Sequence, residues 1–309
     1  MRKGRRDDDA WLVPRTPFAA THSDPSKMNS LQSLPPEALN DAIQQKTCRA
    51  IILAGRRSAD DPLALAARAP HRALLDIEGE PMLLRVVRRI LAHPALEHVL
   101  INIDAPELLE EIPELVALRK QGRIEFVRST ESPSRSVIES LERANLDAGP
   151  VLVTTADHAL LDDEMLDAFF TASATSDADV TLALVPRTLL RARFPESRRT
   201  YLRFRNESYS GANLFLFRRP AALRAALFWR RVERQRKRPW RIARAFGLTN
   251  LILFSLRQLD LNAAMARASR VIGAKVVAVP LAIAEAAVDV DKLEDLELVR
   301  HILCERRNR

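Results

Sequence analysis

The chain has very little cysteine, two residues in 309, and that scarcity excludes several readings at once. Cys48 and Cys304 lie at opposite ends of the foldable region and make no CxxC pair, so neither a disulfide framework nor a thiolate metal site is expected, and a reducing cytoplasmic setting is. Long apolar runs are also missing. Stretches such as AIILAG and VTLALV stop well short of the ~20 residues that a membrane-spanning helix takes. The basic opening MRKGRRDDD is not followed by the apolar segment of a secretory leader. Aromatic residues make up 5% of the chain and form no RNA-binding signature, which ranks nucleic acid last among partners. After Gly55 the next glycine is Gly79, so there is no GxxxxGK[ST] loop and no GxGxxG, which argues against P-loop enzymes and dinucleotide-dependent dehydrogenases. The six histidines are scattered, without an i,i+4 pair flanking a glutamate. Neither His71 nor His158 has a visible serine or cysteine partner, so a zinc site and a Ser-His-Asp triad have no support, and both are read as structural or surface residues.

A chain that is 47% hydrophobic over 309 residues buries a substantial core without staples. Residues 1 to 46 read differently, with charge runs, scattered prolines and no periodicity, and are expected to form a disordered N-terminal arm; Met28 is an alternative start. From residue 47 onward short Val/Ile/Leu-rich strands alternate with amphipathic helices. The spacing predicts strands at 50–54, 98–103, 123–127, 150–154 and 178–184, and helices at 81–93, 105–118, 134–147 and 162–174. Strands are predicted again at 200–205, 211–217 and 274–279, and helices at 220–234, 239–246, 249–258, 261–271 and 292–306. The expected fold is α/β, a Rossmann-like three-layer fold with a mostly parallel sheet and a helical basic insertion. Residues 47–309 are read as one domain, in which 188–272 are an elaboration on the acceptor side.

In an open sheet of this kind ligands bind beyond the carboxyl ends of the strands. Two strand ends carry polar chemistry. The first, AIILAGRRSADDP, runs into a glycine turn with Arg56 and Arg57, where backbone amides and guanidinium groups suit phosphate oxygens. The second, VLVTTADHALL, delivers Asp157. Asp162 is the better cap for the helix that follows, and Asp295 belongs to the first turn of the last helix, where negative charge meets the helix dipole; it is assigned no catalysis.

Four blocks, in order and spread over about 50 to 300, together resemble one family. These are LAGRRS, then HRALLDIEGEPML (71 to 83), TTADHALL, and AAVDVDKLEDLELV (286 to 299), with SPSRSVIESL (132 to 141) resembling a base-side helix start. The chain is identified on these as resembling the MobA-like NTP transferase domains of the nucleotidyltransferase superfamily. Three positions depart from the family pattern: Arg57-Ser58 stands where a second loop glycine is usual, Arg72 where a lysine is usual, and Ala159 where a proline is usual. Arginine keeps the charge of lysine but presents a planar fork, so the phosphate geometry differs.

The resemblance implies an Mg²⁺-dependent nucleotidyltransferase (EC 2.7.7-type) that transfers NMP from an NTP to a small phosphorylated acceptor, such as a sugar or polyol phosphate or a lipid headgroup precursor, with release of pyrophosphate. The alternative is a catalytically impaired nucleotide-binding or membrane-peripheral relative. By the same carry-over, Arg56, Arg72 and Asp157 are the catalytic candidates. Leu53, Ala54, Gly55, Arg56, Arg72 and Ser136 are the nucleotide-binding candidates, and Gly211 and Asn213 the acceptor-side ones. Asp157 and Asp291 are the metal candidates, with Asp289 as runner-up. Ser136 is equally well read as an ordinary helix-start residue, and Gly211 as a bulge.

Basic charge is concentrated in residues 218 to 244, which hold eleven Arg/Lys and one acid, Glu233. Leu223, Leu227, Phe228, Trp229 and Trp240 give the segment an amphipathic character. It is expected to cover the acceptor site and to be a candidate for peripheral contact with an anionic membrane, against the simpler reading of a solvated helix packed on the core.

Overall fold

In the computed structural model the described residues are 48–56, 61–197, 199–234 and 247–308. The expected N-terminal arm, Arg57, and the predicted helix at 239–246 with Trp240 lie outside them. All described residues fall within one contact unit, Pro35–Arg309.

β1 (Cys48–Leu53) shows how the layers arise. Successive side chains of a strand point to opposite faces. Ile52 accordingly enters one core, with the helices at 82–92, 163–174 and 293–307, while Ile51 enters a second, with the helices at 133–144 and 223–234. The pattern repeats in the neighbouring strands, where Ile101 and Leu152 join the first core and Leu100, Val151 and Val153 the second. A strand that is apolar on both faces needs cover on both, and three layers follow.

A short helix, α1 (Pro62–Ala66), is capped by Asp61. It is followed by a hairpin of β2 (Asp76–Ile77) and β3 (Glu80–Pro81). The hairpin turns through Glu78 at φ 57° and Gly79 at φ 82°, the left-handed pair that a two-residue turn of this hand requires. Next come α2 (Met82–Ala92), β4 (Leu96–Ile103), α3 (Pro113–Lys120), β5 (Ile124–Arg128), α4 (Pro133–Ala144), β6 (Val151–Thr155), α5 (Asp163–Ala174), β7 (Val180–Pro186) and α6 (Arg187–Arg193). The remainder is β8 (Leu202–Arg203), β9 (Ser208–Phe217), α7 (Leu223–Arg234), α8 (Leu248–Ser255), α9 (Leu261–Ile272), β10 (Val276–Pro280) and α10 (Leu293–Arg307).

The main sheet runs β10-β7-β9-β6-β1-β4-β5, with β8 paired to β9. β1 pairs in parallel with β4 and β6, β4 with β5, and β7 with β10, whereas β9 is antiparallel to both of its long neighbours. The mostly parallel three-layer α/β fold is therefore observed. Two local expectations change. The helix predicted at 105–118 is a 3₁₀ segment (Pro106–Glu111) followed by α3, because Pro113 lacks an amide hydrogen and pushes Ile112 into extended backbone. The strand predicted at 211–217 runs from Ser208 and lies inside the sheet, not beside it.

Candidate active site

β1 ends between its two parallel neighbours, with Leu53 opposite Asn102 of β4 and Thr155 of β6. The ladder continues one step further. The Ala54 amide donates to the Asn102 carbonyl at 2.8 Å, and the Ala156 amide donates to the Leu53 carbonyl at 2.9 Å. These bonds aim the following residues, 55 and 157, over the same rim. Leu53 and Ala54, expected to present backbone to a base, thus have these two groups engaged by the sheet.

Gly55 is exposed, and its backbone is not in the left-handed region. A side chain would be crowded there for another reason: a Cβ would stand 3.0 Å from Ser129 Oγ and 3.4 Å from Ser129 Cβ. Ser129 follows β5 and is fixed by its amide donating to the Ile103 carbonyl at 2.8 Å. The glycine eases this close approach of two loops.

Arg56 is clamped to Asp104. Its amide donates to Oδ1 at 2.9 Å and its Nε to Oδ2 at 2.8 Å. His71, fully buried, lies with Nε2 3.0 Å from the same Oδ1. Desolvation works to raise the Asp104 carboxyl, and the hydrogen bonds from His71 and Arg56 more than reverse it, bringing the pKa down to about 2. The sequence shows no serine or cysteine partner for His71. The structure gives it a carboxylate partner at the site.

Arg72 occupies the centre. Its Nη2 donates to Asp291 Oδ1 and to the Val290 carbonyl, both at 2.5 Å, and lies 3.5 Å from Asp157 Oδ2; Nη1 lies 3.8 Å from Asp61 Oδ2. Burial disfavours the charged guanidinium, but Asp291, Asp157 and Asp61 outweigh it and hold its pKa above the ordinary value. Asp157 accepts from Thr155 Oγ1 at 2.5 Å, and its carbonyl accepts from the Val290 amide at 3.1 Å. Burial, assisted by the charges of Asp289 and Asp291, pushes the Asp157 carboxyl up to about 6, against the pull of Thr155 and Arg72. Asp157, Asp291 and Arg72, chosen from three separate stretches of sequence, come together here.

Asp289 acts on Asp157 through its charge but has partners of its own. It pairs with Arg199 and accepts from Asn213 Nδ2 at 3.3 Å. Asn213 sits at φ 49° within the register shift of β9, where Leu182 faces Phe215 but Leu184 faces Gly211, so a bulge turns the side chain toward Asp289. Gly211 is exposed, and a Cβ there would meet nothing within 4 Å. Asp295 accepts from the amides of Asp291 and Lys292, both at 3.2 Å, as a residue of the first turn of α10 should. Ser136 is buried and accepts from the Thr130 amide at 2.8 Å, so its hydroxyl holds the loop ahead of α4. His158 is buried, and desolvation brings its pKa down to about 4, which leaves it neutral at physiological pH. Among the described residues no group of three acidic, histidine or cysteine side chains is placed to hold a metal ion unaided.

The residues that sequence reasoning missed are Asp61, His71, Asp104, Ser129, Thr155 and Arg199. Asp104 had a signal, since LINID ends a predicted strand in an acid on the same rim as Asp157. Arg199 had none.

A family model described as the MobA-like NTP transferase domain matches residues 44–238. Among solved structures, a hypothetical transferase from Thermus thermophilus is 30% identical, covering 80% of this chain and 98% of its own, with a TM-score of 0.66. A 4-diphosphocytidyl-2C-methyl-D-erythritol synthase from Anaerococcus prevotii is similar in fold at 14% identity and TM-score 0.50, covering 86% of this chain and 99% of its own. A CMP:2-keto-3-deoxy-manno-octonic acid synthetase complexed with CTP is similar at 14% identity and TM-score 0.52, covering 84% and 99%. No curated protein matches the chain.

Proposed function

We propose a reaction for this chain from the premise that it belongs to the MobA-like NTP transferase domain family and is a nucleotidyltransferase. The reaction is transfer of NMP from an NTP to a small phosphorylated acceptor. An acceptor phosphate oxygen forms a bond to the α-phosphorus, the bond from that phosphorus to the bridging oxygen breaks, and pyrophosphate leaves. No covalent enzyme intermediate is needed, so positioning and charge neutralisation carry the catalysis.

The observation that carries this reading is the meeting of Arg72, Asp157 and Asp291 beyond the end of β1. Arg56 and Arg72 supply positive charge for the triphosphate, Gly55 lets backbone approach it, and Ser136 shapes the loop on the base side. The chemistry of the donor set fits a hard divalent ion: two carboxylates, oxygen donors only, for an ion such as Mg²⁺ that takes one or two carboxylates and completes its shell with substrate phosphates. Asp157 and Asp291 would hold it. When bound, Mg²⁺ supplies charge neutralisation on the phosphates and the leaving pyrophosphate. Asn213, turned toward Asp289 by the β9 bulge, and Gly211 beside it are assigned to the acceptor side.

The basic segment is read as a wall of the acceptor side and as a membrane-peripheral surface, because α7 exposes Leu227 and Trp229 among its arginines. Among the described residues no helix is long and apolar enough to cross a membrane. Unchanged turnover and unchanged liposome binding after neutralising five of its arginines reject that role.

Pyrophosphate release with each of four NTPs, Mg²⁺ and a panel of phosphorylated sugars and polyols tests the main reading. Wild type releases pyrophosphate with one pairing, and Asp157→Ala does not. Equal inertness of both, with NTP binding retained, leaves the non-catalytic nucleotide-binding alternative standing.

A further inference from the structure

We propose that His71 is a positioning residue of the nucleotide site: by donating from Nε2 to Asp104 it holds that carboxylate against Arg56 and so fixes Arg56 and Arg72 relative to each other. The inference rests on the NTP reading given above.

The two ring nitrogens are set apart by their surroundings. Nδ1 accepts the Ala73 amide at 3.0 Å, as the cap of the short 3₁₀ turn Arg72–Leu74, so it carries no hydrogen. The ring hydrogen is therefore on Nε2, where Asp104 Oδ1 waits at 3.0 Å. Asp104 Oδ1 and Oδ2 in turn receive the amide and Nε of Arg56. One carboxylate at the end of β4 thus joins two segments, the loop after β1 and the turn that carries Arg72. His71 is wholly buried and directly precedes Arg72 in the chain, so a shift of its ring is a shift of the Arg72 backbone. Capping the turn uses only Nδ1. The second bond is the one that reaches the phosphate loop.

Two substitutions separate the bonds. Asparagine places its amide oxygen near Nδ1 and keeps the cap toward Ala73 but does not reach Asp104, while glutamine extends its amide nitrogen toward Nε2 and keeps the donor to Asp104. The probes are ATP, GTP, CTP, UTP and inorganic tripolyphosphate, each with Mg²⁺, followed by calorimetry and thermal shift. The expected result is a folded His71→Asn that binds the preferred NTP roughly tenfold or more weakly, the scale of one hydrogen bond to a charged group, with His71→Gln close to wild type in affinity even where its melting temperature is lower. Asp104→Asn, at a position about one third exposed, weakens the bonds to both His71 and Arg56 and shows at least the same loss, which tests the link from the carboxylate side if the His71 variants fold poorly.

Undiminished binding by either a folded His71→Asn or Asp104→Asn overturns the proposal, as does an affinity that follows melting temperature across the variants whichever bond is kept. A wild type that binds none of the probes overturns the NTP reading and this inference together, whereas a wild type that binds beside an indifferent His71→Asn overturns this inference alone.

Discussion

Arg72 Nη2 lies 2.5 Å from Asp291 Oδ1, a bond between residues 219 positions apart. It places the turn after α1 against the segment that leads into α10, and the Val290 amide, bonded to the Asp157 carbonyl, brings the end of β6 to the same point. Three loops that have no sequence proximity are thus tied at one cation. The proposed chemistry and the closure of the domain use the same side chain.

Replacing Arg72 with alanine removes the only cation recorded against Asp157 among the described residues and leaves the Asp157, Asp289 and Asp291 carboxylates to repel one another. Losing one partner of a part-buried charge cluster is expected to cost about 1–3 kcal/mol of stability and to lower kcat/KM by roughly 100-fold or more. Arg72→Lys keeps a charge but not the fork that meets Asp291 and Asp61 together, so it falls between the two. Urea melts and pyrophosphate release for wild type, R72K and R72A check the order; an R72A enzyme as active as R72K rejects it.

How far the sequence led differs between parts of the site. Strand-end reasoning found Gly55, Asp157 and the three-layer sheet, because buried parallel strands announce themselves as apolar runs. It passed over Asp104, although LINID has the same form. His71 was dismissed for want of a serine or cysteine partner, when its partner is a carboxylate brought in by β4. The antiparallel course of β9 between β6 and β7 follows from long-range pairing, which periodicity does not encode. Arg199 reaches Asp289 from a loop with no pattern at all.

The Asp104 carboxyl sits at about 2, below its ordinary value of 3.8. A depressed carboxyl contributes stability above its unfolded value and loses it as pH falls through its folded one, so the window is from about 4 down to about 2. The full shift would correspond to roughly 2–3 kcal/mol, and exposure of about a third of the side chain reduces this to about 1 kcal/mol. Asp104→Asn is therefore less stable than wild type at pH 5, with the gap narrowing by pH 2.5. Guanidinium melts at the two pH values read it directly, and a gap that does not change with pH contradicts the assignment.

Glu233 is the one acid of the basic segment, and it caps another helix. Its carboxylate accepts from Ser132 Oγ at 2.6 Å, from the Ser134 hydroxyl, and from the Ser134 amide at 3.3 Å, at the N-terminus of α4. Ser134 is fully buried, so removing the acceptor leaves its donors without it and detaches α7 from the loop ahead of α4. Glu233→Ala is expected to lose about 1–2 kcal/mol, and Glu233→Gln less, since an amide oxygen still accepts but without the charge that favours the helix N-terminus. Thermal unfolding of the two variants tests this, and an E233A protein as stable as wild type shows that the cap contributes nothing.

Gly55 offers the sharpest test of loop geometry, because its requirement is for space, with no left-handed backbone to accommodate. A Cβ at 3.0 Å from Ser129 Oγ requires the hydroxyl or one of the loops to give by a few tenths of an ångström, and the Ser129 backbone is held by its amide bond to Ile103. Gly55→Ala is expected to change stability by under about 1 kcal/mol, since the position is exposed, yet to weaken NTP binding several-fold by displacing the residue ahead of Arg56. Ser129→Ala removes the oxygen and leaves a contact of 3.4 Å, an ordinary van der Waals distance. The double variant Gly55→Ala with Ser129→Ala should therefore recover most of the affinity that Gly55→Ala alone loses. A double variant as weak as the single one would mean that the glycine serves the ligand directly, through its own backbone, and that the loop contact with Ser129 is incidental.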